Sequence, residues 1–201
     1  MDFFAGGMLL ASYVSGGVPT GYVLSRTLRG IDIREHGSGN PGAANVYRTV
    51  GPAAGAATLI LDAAKGFAPV FLAAHLAPQF SWLPAACGGF AVVGHDWSPF
   101  LGFGGGKGVA TTAGVLAALC PQGLLLAYAA FVAGVTLSGH ISVGSMAGAG
   151  VFPLAALASG ADAATLGLAT PAALLILYRH LPNIRSLRTG VPLCSPKQDR
   201  P

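Results

Sequence analysis

The sequence predicts an all-α integral membrane protein of about seven transmembrane helices joined by glycine-rich cytoplasmic loops. Three observations predict it. Of 201 residues, 53% are hydrophobic and 9% are charged, whereas soluble domains carry about 25% charged residues. A chain this short cannot hide so much apolar surface in one soluble core. Apolar runs recur between short polar segments, and the 30 glycines suit close helix packing in lipid. Lysine and arginine gather in alternate polar segments, as the positive-inside rule requires of a multi-pass protein.

The first apolar run, 3–24, follows no basic stretch and reads as a retained span rather than a cleaved leader. The others are 50–76, 82–94, 109–119, 124–137, 145–157 and 166–178. A straight crossing takes about 20 residues, so the shorter runs borrow length from flanking glycines. Between the fourth and fifth, Cys120, Pro121, Gln122 and Gly123 form a tight exit turn or the break of a re-entrant hairpin. Either choice leaves Lys107 and His140 on one side. Residues 1–180 are expected to form one transmembrane domain, and 181–201 a cytoplasmic C-terminal segment and tail.

Seven crossings place Arg26, Arg29, Arg34, Arg48, Lys107, Arg179, Arg185, Arg188, Lys197 and Arg200 on one face. The opposite loops, 77–81, 120–123 and 159–165, hold no Lys or Arg. The cation-rich face is therefore cytoplasmic, with the N-terminus outside and the C-terminus inside. The eleventh cation, Lys65, lies three residues after Asp62 inside the second run. Such a pair is expensive in lipid unless it faces a polar cavity. It reads equally as a mutual salt bridge or as a wall of the active-site cleft.

Two polar segments carry phosphate chemistry. The first holds Gly37, Ser38, Gly39, Asn40, Gly42, Asn45 and Arg48. The second holds His95, Gly104, Gly105, Gly106, Lys107 and Gly108. Bare glycine amides beside a cation make an anion cradle. Arg48 can grip two phosphate oxygens, Lys107 adds a point charge, and Ser38, Asn40 and Asn45 are neutral donors. The glycine pattern at 37–42 is not a dinucleotide fold, because Arg34, Glu35 and His36 stand where a strand should be and Pro41 interrupts the turn. Nor is 102–108 a nucleotide loop: Leu101 replaces its first glycine and Gly108 its hydroxyl residue.

A third segment places His180 and Asn183 three apart, with Pro182 predicting a turn at the end of the last span. A fourth, 139–145, offers Ser142 and Ser145 as supporting hydroxyls in a loop; Asp62, Lys65 and His95 join that supporting set. His36 and His75 read as structural or exposed. Cys87, Cys120 and Cys194 lack ligand spacing and read as apolar packers or a tail thiol. No metal, cofactor or nucleic-acid partner is expected.

In these segments the chain resembles the PlsY family of bacterial glycerol-3-phosphate acyltransferases. The matching stretches are Ile31, Asp32, Ile33 and Arg34 leading into Gly37 to Asn45, then Gly105 to Thr111. Asp62 to Gly66, Ser142 to Ser145, and His180 with Asn183 and Ile184 follow in order and spacing. The resemblance implies a seven-span enzyme of the bacterial inner membrane with its site on the cytoplasmic side. It would transfer a fatty acyl group from acyl phosphate to the sn-1 hydroxyl of glycerol 3-phosphate in phospholipid synthesis, giving lysophosphatidate and phosphate. Acyl phosphate would come from a soluble acyltransferase. By carry-over, Ser38, Arg48, Lys107, His180 and Asn183 hold the phosphates and reacting groups. Leu181, Ser186, Pro192 and Gly139 stand where the family usually carries Arg, Arg, Glu and Arg, and Arg179 and Arg185 lie one residue away as possible substitutes. The alternative reading is a membrane transporter of an organophosphate or other anion. Against it stand the absence of an internal repeat and the gathering of polar segments on one face.

Overall fold

A computed structural model of the protein describes residues 3–190. Pro192, Cys194, Lys197 and Arg200 lie outside the described residues. Within them the chain forms α1 (Phe3–Gly17), α2 (Thr20–Arg29), α3 (Ala43–Thr49), α4 (Pro52–Leu76) and α5 (Leu83–Asp96). There follow α6 (Val109–Leu119), α7 (Pro121–Ser138), α8 (Ile141–Ala158), α9 (Ala163–Arg179) and α10 (Leu181–Thr189). Short 3-10 turns stand at Ile33–Glu35 and Pro99–Leu101, and no strand forms among the described residues.

Six of the seven predicted apolar runs each coincide with one helix, α4 to α9. By length and composition α4, α7 and α8 can each cross a membrane alone, and α9 with α10, bent by 43°, would make a fourth if the pair is one broken span. With 15, 14 and 11 residues, α1, α5 and α6 fall short of the roughly 20 that a straight crossing takes.

Four boundaries differ from expectation. The run 3–24 is not one helix: α1 stops at Gly17 and α2 starts at Thr20. Pro19 between them has no N–H and cannot continue a helical ladder. The carbonyls freed there are satisfied from elsewhere, Gly17 O by Ser98 Oγ at 2.6 Å and Val18 O by Lys65 Nζ at 2.7 Å. Cys120 alone separates α6 from α7, because Pro121 suits the first position of the next helix. Ser142 and Ser145 lie in the first turns of α8, not in a loop. The segment after His180 is helix α10 rather than a simple turn, since Pro182 sits in a first turn whose N–H groups have no helical partner.

Small residues hold the helices together. At the crossing of α1 and α5, a Cβ on Gly16 would lie 2.2 Å from Ala91 O, and one on Gly94 2.1 Å from Tyr13 O. At the crossing of α4 and α6, Gly114 meets Ala63 O at 1.8 Å and Gly66 meets Thr111 O at 2.0 Å by the same measure. The backbones touch, and dispersion is gained along the whole crossing. Val70, Val92 and Val115 then fill the space between α4, α5 and α6. Cys87 and Cys120 are buried free thiols. Leu125, Leu137 and Leu154 point outward, as side chains facing lipid do.

Candidate active site

Three polar segments converge beside the C-terminal ends of α5 and α9. The first connects α2 to α3. Asp32 opens its 3-10 turn by accepting from the Arg34 amide at 3.0 Å, and its carboxylate takes the Arg34 guanidinium at 3.0 and 2.7 Å. Arg34 holds the Asp32 carboxyl below the usual carboxylate range. Asn45, 2% exposed, accepts from Ser38 N at 3.0 Å and donates to His36 O at 2.9 Å and Ile33 O at 3.3 Å. Gly37 has φ 56°, and a Cβ there would lie 2.3 Å from Asn45 Oδ1, so glycine is required.

This internal bracing corrects the expectation of bare amides in the first segment. The Ser38 and Gly39 amides donate to Asn45 and His36, and the Gly42 amide donates to Asn40 Oδ1 at 2.8 Å. Asn45 braces the loop with both its amide oxygen and its amide nitrogen, and Asn40 Oδ1 is likewise engaged. Ser38 is half-buried, and Arg48 is exposed on α3 near enough for its charge to act on Lys107.

The second segment runs from α5 to α6. Ser98 N donates to Gly104 O at 3.0 Å and Phe103 N to Ser98 O at 2.8 Å, closing a tight loop. Here too two amides are engaged: Gly104 N donates to Leu101 O at 3.3 Å and Gly106 N to His95 O at 3.1 Å. Lys107 emerges from this loop and donates to Asn183 Oδ1 on α10. Burial pushes Lys107 down to about 8, and the charges of Arg48 and Arg179 add to that effect.

The third segment is the bend between α9 and α10. His180 is 3% exposed, and its Nδ1 lies 2.8 Å from Ile176 O. A carbonyl only accepts, so Nδ1 carries the hydrogen and the neutral ring's lone pair sits on Nε2. Arg179, which the sequence offers as a substitute anion ligand, turns most of its donors to backbone carbonyls instead. Its guanidinium donates to Gly106 O at 2.9 and 2.6 Å, Gly105 O at 3.0 Å and Asp96 O at 3.1 Å. It also lies over the Trp97 ring, 5.5 Å from the centroid.

The supporting residues divide. Asp62 pairs with Lys65 at 3.0 Å, accepts from the Thr20 hydroxyl, and has His95 Nδ1 at 3.7 Å. These four residues line a void of about 10 Å³ between Pro41 of the first segment and Gly106 of the second. The Asp62 and Lys65 pair is thus a salt bridge, and it borders this small void between the first and second segments. Thr20 and Trp97 were not legible as site residues, because each is placed by a distant segment. Ser145 donates to Ile141 O of its own helix at 2.9 Å, and α8 packs on α7 and α9. A larger cavity of about 290 Å³, lined by Phe67, Phe71, Ala117 and Thr165, involves none of the three segments. Among the described residues no three His, Cys, Asp or Glu side chains cluster to hold a metal.

A family model for glycerol-3-phosphate acyltransferase matches residues 6–190. A glycerol-3-phosphate acyltransferase of Geobacter sulfurreducens is 43% identical over 179 residues, covering 89% of this chain and 91% of that protein. One of Desulforudis audaxviator is 43% identical and covers 89% of each chain. A crystal structure of PlsY, an integral membrane glycerol 3-phosphate acyltransferase in its glycerol 3-phosphate form, matches with TM-score 0.88 at 34% identity over 94% of both chains. The lysophosphatidic acid form of PlsY matches with TM-score 0.86 at 33% identity, over 94% of this chain and 93% of that one. Helical membrane architecture and these likenesses define a multi-pass integral membrane acyltransferase. Within that class, the chain belongs to the glycerol-3-phosphate acyltransferase family, of the PlsY type.

Proposed function

We propose that the enzyme moves a fatty acyl group from acyl phosphate to the sn-1 hydroxyl of glycerol 3-phosphate, releasing lysophosphatidate and inorganic phosphate. The observation that carries this reading is the meeting of Lys107 from the glycine loop with Asn183 from α10, beside His180 and within the field of Arg48. Both substrates are phosphorylated, and the site concentrates cations without a cysteine or activated serine to form an acyl-enzyme. None is needed, because acyl phosphate already carries a good leaving group.

The acceptor oxygen attacks the acyl carbonyl carbon, and the carbon–oxygen bond to phosphate breaks with its electron pair on phosphate. His180 Nε2 takes the acceptor proton. Lys107, Arg48 and Ser38 hold the phosphates and stabilise the charge that develops on the departing one. Side chains carry most of this recognition, since several loop amides are engaged internally. Seven crossings with the N-terminus outside and the site on the cytoplasmic side accommodate the segregation of cations. Residues 1–180 then form the catalytic domain, and a soluble acyltransferase supplies acyl phosphate.

Purified enzyme should release phosphate from acyl phosphate only when glycerol 3-phosphate is present. Release independent of the acceptor, or transport of labelled glycerol 3-phosphate without acylation, would end this reading. His180→Gln should lose about 10²- to 10⁴-fold in kcat. A near-normal kcat with raised KM would give the proton to the donor phosphate and leave His180 an orienting role.

A further inference from the structure

Arg179 makes four hydrogen bonds to three backbone carbonyls of one short segment, which is unusual for a cation at a phosphate site. The acceptors are Gly106 O, Gly105 O and Asp96 O. Trp97 packs against one side of the guanidinium at 5.5 Å from the ring centroid. The carboxylate of Asp96, fully buried, stands 3.9 Å from Nε. So held, the guanidinium has little freedom and few donors left for a substrate.

The consequence falls on the next residue. In a trans peptide the C=O and N–H point in opposite directions, and the chain has no cis bond among the described residues. With Gly106 O fixed on Arg179, the Lys107 N–H is turned to the opposite side. The same bond draws the negative end of the peptide dipole away from the side where an anion would lie. Gly106 also cannot drift toward α5, because a Cβ at that position would already lie 1.9 Å from His95 Nε2. The glycine is clamped between His95 and Arg179, and Lys107 leaves the clamp in one direction.

We propose that Arg179 is a positioning residue: it orients the peptide joining Gly106 to Lys107, so that Lys107 presents its ammonium and its amide to a phosphorylated substrate. This rests on the reading of Lys107 as a phosphate ligand. The groups around Lys107 are Arg48 from α3, Arg179 and His180 from the end of α9, and Asn183 from α10, with Asp96 buried behind Arg179. Two cations therefore bear on Lys107, and only one of them also holds its backbone.

The test compares Arg179→Lys, Arg179→Gln, Trp97→Leu, Lys107→Met and the double variant Lys107→Met with Arg179→Lys, by initial rates against glycerol 3-phosphate from pH 6.5 to 9.5. Arg179→Lys keeps the charge and loses the fork, so kcat/KM should fall 10- to 100-fold through KM, with the alkaline limb unmoved. Arg179→Gln should suffer a similar loss, but its alkaline limb should move to higher pH, because one cation beside Lys107 is gone. The double variant should be no worse than Lys107→Met alone. Trp97→Leu, which leaves Arg179 in place, should raise KM several-fold and covers the case in which an Arg179 variant does not fold.

Lys107→Met impaired while the Arg179 and Trp97 variants stay within twofold of the parent would overturn the positioning role alone. Losses that multiply in the double variant would also overturn it. Lys107→Met with unchanged KM would overturn the phosphate reading of Lys107, and the role of Arg179 with it.

Discussion

At the scale of single residues the site depends on which polar atoms are left over after the loops have satisfied themselves. Asn45 and Lys107 illustrate the contrast. Both stand among glycines in the sequence, and both read as ligand donors. Asn45 has its carbonyl oxygen and its amide nitrogen engaged by Ser38, His36 and Ile33. Lys107 reaches across to Asn183 on another helix, and burial pushes it down to about 8. The sign follows from the cause. Burial disfavours the ammonium, so the ordinary value of 10.5 is lowered, and the charged form that we propose binds phosphate is lost as pH rises through about 8. The measured kcat/KM for glycerol 3-phosphate should therefore fall above pH 8, approaching tenfold per pH unit. Lys107→Arg should remove that fall, since arginine stays charged throughout the range. A pH profile unchanged by this substitution would detach the alkaline limb from Lys107.

At the scale of elements, backbone contact between small residues orders the helices. Gly114 and Gly66 answer each other across α4 and α6, each against a carbonyl of the other helix. Gly114→Ala should cost about 1–3 kcal/mol as the backbones are forced apart. Gly150→Ala, where a Cβ meets nothing within 4 Å, should change stability by at most about 1 kcal/mol, in the favourable direction. Thermal unfolding in detergent measures both, and equal effects would remove the close crossing as the explanation. The broken first run belongs to this scale too. Pro19 breaks a run that reads as one span, and what satisfies the carbonyls beside the break is not visible locally. Lys65 and Ser98 do so from 47 and 81 residues away. Lys65 thus has a structural duty besides its pairing with Asp62, and a local pattern could not have revealed it.

At the scale of the whole molecule, the three polar segments must share one side of the membrane. Along α9, 17 residues at about 1.5 Å each separate the 160 end from the His180 end by roughly 25 Å. In a Cys194→Ser background, Gly104→Cys and Arg185→Cys should react with an impermeant thiol reagent from the same side, and Gly160→Cys from the other. Labelling of all three from one side would refute the seven-crossing topology. Composition determined the helical membrane class by itself, because apolar content and the spacing of cations are properties of the chain before it folds. The motifs likewise located the three segments that meet at the site. Only the tertiary structure decided which of their atoms are available. A hydrogen bond is made or missed within about 3 Å, and that distance is set by segments far apart in sequence. Hence Asn45 became a brace, Arg179 a clamp on the glycine loop, and Lys107 the cation that reaches Asn183.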